Sequence, residues 1–278
     1  MKGVLIVAAT VITFGNFKGG VGKTTAASLT AELLQEDQKQ VLLLDLDPQA
    51  NATNFLTLSY DYEFPENFIS LFEAIKNKNL KEATITLSDR LDLLPSGMDL
   101  GSFPRFLYSF TNEQKESYYL DYLLRDIKND YDYIIIDVPP TMSPFTNNAL
   151  VASDYTVIVM QTELDSLTGT IDYYEYVQIM AKYNPKLQVL GIIPYLEKKR
   201  SKIDKYIYDM SLSSDFEIKD YMFANHIFDR ERVKRFRVRG ITNNDHHDAQ
   251  TLKMYRNVKD EILEKVGDKH DAQKLKQQ

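Results

Sequence analysis

Lys18-Gly19-Gly20-Val21-Gly22-Lys23-Thr24-Thr25 is the run whose residue types could do chemistry together. Gly19, Gly20 and Gly22 lack a Cβ, so the backbone can curl tightly and aim its N–H groups at one point. The helix expected next adds the positive end of its dipole to that point. A bound polyphosphate would meet Lys23 at its β- and γ-phosphates, and the Thr24 hydroxyl would hold Mg2+. The strict phosphate-loop pattern asks for glycine five residues before Gly22, where Phe17 stands. This run opens instead on a second cation, Lys18. A fixed cation offsets charge that develops during phosphoryl transfer.

Two acidic positions extend the set. Val41-Leu42-Leu43-Leu44 ends in Asp45-Leu46-Asp47-Pro48-Gln49-Ala50-Asn51, and Tyr133-Ile134-Ile135-Ile136 ends in Asp137-Val138-Pro139-Pro140. Both apolar runs read as buried parallel strands. Ligands of open α/β sheets bind at the carboxyl ends of such strands. One carboxylate there offsets metal charge, and a second, two residues on, accepts a hydrogen bond from water. Asp137, after an apolar strand and downstream of the glycine loop, has the Walker B form and would hold Mg2+ through a water.

The K-G-G-x-G-K-[ST] loop, the D-x-D-P-Q run and the strand ending in Asp137 follow one another as in the ParA/MinD family of P-loop ATPases. The chain resembles the ParA-type partition members of that family over residues 11–140, and more weakly to about residue 266. The resemblance implies ATP and Mg2+ as cofactors and an ATP-dependent homodimer with the nucleotides sandwiched at its interface. It implies that Lys18, Gly19, Gly20, Val21, Gly22, Lys23, Thr24 and Thr25 bind nucleotide, and that Lys18 reaches the phosphates of the partner subunit's nucleotide. It places Asp45 near Mg2+ and its waters, with Thr24 and Asp137. It gives Asp47 the attacking water, and makes the Pro48–Asn51 loop and the prolines after Asp137 switches. The implied activity is slow ATP hydrolysis, stimulated by a ParB-type centromere-binding partner and serving plasmid or chromosome segregation. A cytoplasmic, nucleoid-associated bacterial protein goes with that reading. A MinD-type membrane-associated regulatory ATPase is the alternative within the same family.

Elements able to hold these residues alternate along the chain. Val11–Phe14 is a strand and Ala26–Glu36 a helix, followed by the strand Val41–Leu44. Ala52–Thr86 reads as connection with one helix near Phe68–Ile75. Leu91–Leu94 is a strand, Met98–Phe110 an aromatic loop or short helix, and Glu113–Lys128 a helix with an apolar face. After the Asp137 strand come a helix over Asn147–Ala152, a strand over Tyr155–Met160, a loop and helix start over Glu163–Gly169, and a last central strand over Leu187–Pro194. This alternation predicts an α/β fold: a single-domain P-loop NTPase with a mostly parallel twisted sheet and helices on both faces. Residues 1–266 form that domain, and the polar stretch 267–278 is expected to be disordered. The apolar start Met1–Thr10 reads as the approach to a buried strand rather than a signal peptide. It leaves no room for the N-terminal helix-turn-helix of longer family members.

Charge reverses in the last third. Lys198, Lys199 and Arg200 form one cluster; Arg230, Arg232, Lys234, Arg235, Arg237 and Arg239 form another, around Phe236 and opposed by Glu231. In a chain of net charge −7, such a reversal suggests a polyanion surface. The resemblance implies DNA bound there without sequence preference. A solvated helix face, neutralised in part by Asp204, Asp209, Asp215, Glu217 and Asp220, is the alternative. A last helix over about Ala249–Val266 repeats Leu252, Tyr255, Val258, Ile262 and Val266 at helical spacing, a docking face rather than a membrane anchor.

Composition excludes other classes. The chain has no cysteine, so it forms no disulfide, thiolate metal site or cysteine-ligated iron–sulfur cluster. That removes the nitrogenase iron-protein branch of the superfamily. His246 and His247, beside Asp245 and Asp248, read as a loop and helix cap rather than a metal site.

Overall fold

A computed structural model describes residues 8–110, 116–198 and 200–276. Eight strands are formed by Thr10–Gly15 (β1), Val41–Asp45 (β2), Ile85–Ser88 (β3), Leu91–Leu94 (β4), Tyr133–Asp137 (β5), Tyr155–Gln161 (β6), Gln188–Glu197 (β7) and Ile227–Phe228 (β8). They make one sheet in the order β3-β4-β2-β5-β1-β6-β7-β8. Every neighbouring pair is parallel except β3 with β4. Register fixes the site: Asp45 of β2 and Phe14 of β1 both lie opposite Asp137 of β5. The glycine loop and both strand-end acids therefore emerge together at the carboxyl ends of three adjacent interior strands.

The strands are apolar because both faces are covered. Ile134 and Ile136 join Val11, Leu42 and Leu44 in one cluster, beneath Leu71–Asn77 (α3), Phe103–Leu107 (α4), Tyr119–Leu124 (α5) and Pro144–Ala152 (α6). Ile135 points the other way, joining Ile12, Phe14 and Leu43 beneath Lys23–Glu36 (α1), Asn51–Ser59 (α2), Glu231–Arg239 (α9) and His246–Lys276 (α10). Leu164–Met180 (α7) and Lys202–Ser211 (α8) cover β6 and β7 with a third cluster. Each fully buried Leu or Ile in these layers contributes roughly 1.5–3 kcal/mol.

Several boundaries depart from the sequence reading. The first helix begins at Lys23 rather than Ala26, so Lys23 and Thr24 stand in its opening turn. Ala52–Thr86 holds two α-helices and an antiparallel strand where one helix was expected. The unforeseen helix, α2, reads N-A-T-N-F-L-T-L-S, rich in weak helix formers. It forms because Ala52, Phe55 and Leu56 are buried in the α1 layer. The last helix extends past the expected end near Val266, its backbone staying helical to Lys276 through the stretch read as disordered. Residues 1–7 of the opening apolar run, and 111–115, which include the first three residues of the expected Glu113–Lys128 helix, lie outside the described residues.

Candidate active site

The loop before α1 is shaped by its glycines and by one buried asparagine. Gly20 and Gly22 have φ of +80° and +97°, left-handed values that a side chain rarely takes. A Cβ on Gly22 would also lie 2.1 Å from a ring carbon of Tyr195, which lies against that glycine from β7. Asn16, fully covered, donates through Nδ2 to the Val159 carbonyl and to Thr170 Oγ1, each at 2.9 Å, while its Oδ1 accepts from the Lys18 N–H at 2.8 Å. Asn16 thus ties the start of the loop to β6 and α7.

The two lysines take different positions. Lys23 is buried, and its ammonium donates to the Lys18 carbonyl at 3.0 Å. Burial pushes its pKa down to about 8, against the opposing pull of Asp137 and Asp47. Bound phosphates would restore the charge that burial disfavours. Lys18 turns away from the cradle, and its ammonium pairs with Asp165 at 3.0 Å in the first turn of α7.

Asp45 and Asp137 are both fully buried. Asp45 is satisfied: Oδ2 accepts from the Thr53 N–H and hydroxyl, both at 2.8 Å, and Oδ1 from the Asp47 N–H at 3.1 Å. Its pKa is nevertheless pushed up to about 6, chiefly by burial. Neither oxygen of Asp137 makes a hydrogen bond of good geometry, and the Thr24 hydroxyl is the donor near enough to act on it. Burial, then the neighbouring Asp45, hold its carboxyl well above the usual range; Thr24 and the Lys23 ammonium oppose the rise. An orphaned buried carboxylate beside a helix-start threonine suits a hard divalent cation with oxygen ligands. Thr24 and Asp137 are the residues that fit Mg2+. Asp45 is occupied in fixing Thr53 and the Asp47 backbone. Asp47 itself is half-buried, its Oδ1 accepting from the Gln49 N–H at 2.9 Å.

A cavity of about 240 Å3 is enclosed between this loop, Asp47, Asn51, Pro140 and, unexpectedly, Arg237 of α9. The two runs read as switches therefore do face the glycine loop. A larger cavity, about 520 Å3, lies at the ends of β6 and β7. It lacks phosphate-loop geometry, and its buried Asp204 is already engaged by the Thr162 hydroxyl and the Lys198 N–H. The chemistry belongs to the smaller cavity.

The basic positions differ in exposure and in partners. Lys198, Arg200, Lys234 and Arg239 are exposed, and Lys199 lies outside the described residues. Arg230 donates to Gln250 at 2.9 Å. Arg232 pairs with Asp245 at 2.6 Å and Asp248 at 3.3 Å. Arg235 is half-buried, its Nε without a hydrogen bond. Asp245 and Asp248, at the start of α10, neutralise Arg232, and of the earlier group Asp204 acts on Lys198. Asp245 Oδ1 accepts from the Asp248 N–H at 2.9 Å, so Asp245 caps that helix. Among the described residues, His246 and His247 join no cluster able to hold a metal ion.

Asn16, Thr53 and Tyr195 were not singled out by sequence, and Arg237 was read there only as one cation of the basic cluster, because what each of them touches is set by the folded chain. The Asn16 position, just before the glycine run, was the one local signal available.

A glycine loop at a helix start, a buried lysine and two strand-end acids on a parallel sheet define a P-loop nucleotide-binding ATPase. A family model described as an AAA domain matches residues 9–189. The sporulation initiation inhibitor protein Soj of Bacillus subtilis is 35% identical over 186 residues, covering 66% of this chain and 71% of Soj. A plasmid partition protein of Borrelia burgdorferi B31 solved with AMPPNP aligns with TM-score 0.73 at 27% identity, over 95% of this chain and 100% of that one. Apo McdA of Cyanothece aligns with TM-score 0.78 at 25% identity, over 91% and 99%. The chain belongs to the ParA/Soj-type family of P-loop ATPases.

Proposed function

We propose that this protein is a DNA partition ATPase that binds ATP and Mg2+, dimerises around the nucleotide, and binds DNA without sequence preference until a ParB-type partner stimulates hydrolysis. The observation that carries the reading is a cradle with two cations at its loop, Lys18 and Lys23, and an orphaned buried acid, Asp137, at its floor.

The residues divide the work. Loop N–H groups and Lys23 hold the β- and γ-phosphates, and Thr24 with Asp137 holds the metal. Mg2+ held by Thr24 and Asp137 would supply positive charge against the negative charge that develops during phosphoryl transfer. Asp47 accepts a hydrogen bond from the attacking water and orients it. Lys18 is held by an ion pair whose side chains are 40% and 77% exposed. Such a pair is weak, so Lys18 can exchange Asp165 for phosphates on a second copy. Exposed Lys198, Arg200, Lys234 and Arg239 are the candidate DNA contacts.

The membrane alternative has less support. Leu252, Tyr255, Val258, Ile262 and Val266 of α10 are buried in the α1 layer and present no free apolar face. Among the described residues no helix is long and apolar enough to cross a membrane. The setting that accords with this reading is the cytoplasm, on the nucleoid.

Light scattering of the full chain with ATP–Mg2+, with ADP and without nucleotide tests the dimer. The reading expects Asp47→Ala to double in mass with ATP, and Lys18→Ala to remain monomeric under the same conditions. A mass that never changes with nucleotide contradicts it. Turnover alone should be slow, and should rise only with DNA and partner together.

A further inference from the structure

Arg237 sits among the cations of α9 in sequence but beside Thr24, Thr25, Asp47 and Asn51 in space, on the wall of the phosphate cavity. Packing puts it there. Val233 and Phe236 of α9 are buried in the core cluster that also holds α1 and α2. The chain leaves α9 through Gly240 at φ +79°, where a Cβ would lie 2.8 Å from Ser59 Cα at the end of α2. The Ile241 N–H then donates to Ser59 Oγ at 3.0 Å. The basic helix is thereby seated on α2, the helix that begins where the Asp47 loop ends.

Arg230 and Arg232 on the same segment are committed to Gln250, Asp245 and Asp248. Among the described residues, no ion pair or hydrogen bond engages Arg237. Its charge acts on the buried hydroxyls of Tyr195 and Tyr255, which hydrogen-bond to each other. Tyr195 is the ring against Gly22, and its hydroxyl also meets Thr25. The guanidinium therefore lies at the α1 end of the cradle. Apart from Asp47, its polar neighbours there are an ammonium, hydroxyls, amides and loop backbone. An uncommitted guanidinium in such a place matches phosphate oxygens, which it can meet with two parallel N–H groups.

We propose that Arg237 is a phosphate-binding residue of the nucleotide site, supplied in cis by the basic helix, and that it is not part of a DNA surface. This rests on reading the cavity as the ATP site, so the test separates the two.

Calorimetric titration of ATP–Mg2+ and ADP–Mg2+ into the full chain, wild type, Arg237→Ala, Arg237→Lys and Lys23→Ala, decides it. Arg237→Ala should weaken both nucleotides about tenfold, the effect of losing one charge-assisted contact. Arg237→Lys should recover part of that loss, because lysine keeps the charge without the fork. Apo melting temperatures check that the variants fold; Arg237 is exposed, so they should match wild type. Wild-type nucleotide affinity in Arg237→Ala, with binding abolished in Lys23→Ala, overturns the role of Arg237 and leaves the ATP site standing. Loss of duplex DNA binding in Arg237→Ala at unchanged nucleotide affinity also overturns it. If the wild-type chain binds neither nucleotide, the ATP-site reading itself fails.

Discussion

Asp137 carries a buried carboxylate with no hydrogen bond of good geometry, in strand register with a second buried acid. Two acids so placed disfavour each other's ionised form, and a divalent cation relieves both. Asp137→Asn removes one buried charge and should raise the apo stability by about 1 kcal/mol, roughly 2 °C in melting temperature. It should abolish the further rise that ATP–Mg2+ gives wild type. Thermal melting with and without nucleotide checks both halves. The pH dependence follows from Asp45, whose folded pKa is pushed up to about 6 from 3.8. A group raised in this way adds stability below its unfolded pKa and loses it as pH rises through about 6. Apo stability should therefore fall between about pH 4 and 6 on this account. Cation binding favours the ionised acids, so the stabilisation by ATP–Mg2+ should be larger at pH 7.5 than at pH 5. An equal shift at both values would argue against acids at the metal site. At this scale the candidate residues were legible where they are contiguous: Lys18, Lys23, Thr24 and the two strand-end acids are picked out as candidates by spacing. Asn16 and Tyr195 do not, because their partners Thr170 and Tyr255 are remote in the chain, and Thr53 does not, because only the turn into α2 brings it back to Asp45.

Among the elements, strands were read most surely. Val41–Leu44 and Ile134–Ile136 are continuous apolar runs because the sheet is covered on both faces. Helix α2 was missed because asparagine and threonine give it little propensity, and burial of Phe55 and Leu56 overrides that. The last helix was legible as a face but not in its length, since polar composition after Gly267 gives no stop signal of its own. Its docking can be tested. Ile262 is fully buried against the α1 layer, and Ile262→Ala should cost about 2–5 kcal/mol in urea unfolding. A change within about 0.5 kcal/mol, the range of surface substitutions, would show the face to be free and reopen the membrane alternative. The basic helix α9 is the element where sequence and structure differ most in meaning. Its cations are consecutive in the chain but divide in space among an ion-pair network, the cradle and solvent.

Over the whole molecule, a net charge of −7 opposes polyanion binding by one copy. The exposed cations Lys198, Arg200, Lys234 and Arg239 are few, so one monomer offers only a weak surface. Joining two copies around nucleotide would place two such surfaces on one duplex, which raises avidity without new contacts. The account thus requires DNA binding to depend on ATP and to fall steeply with salt, by about 0.9 log units per phosphate contact per log unit of salt. The most direct measurement is binding to random-sequence duplex at two salt concentrations, with ATP–Mg2+, with ADP and without nucleotide, alongside Asp47→Ala to hold the ATP state. The account predicts salt-sensitive binding with ATP only, retained by Asp47→Ala. Binding that is the same in every nucleotide state, or absent in all of them, would contradict it.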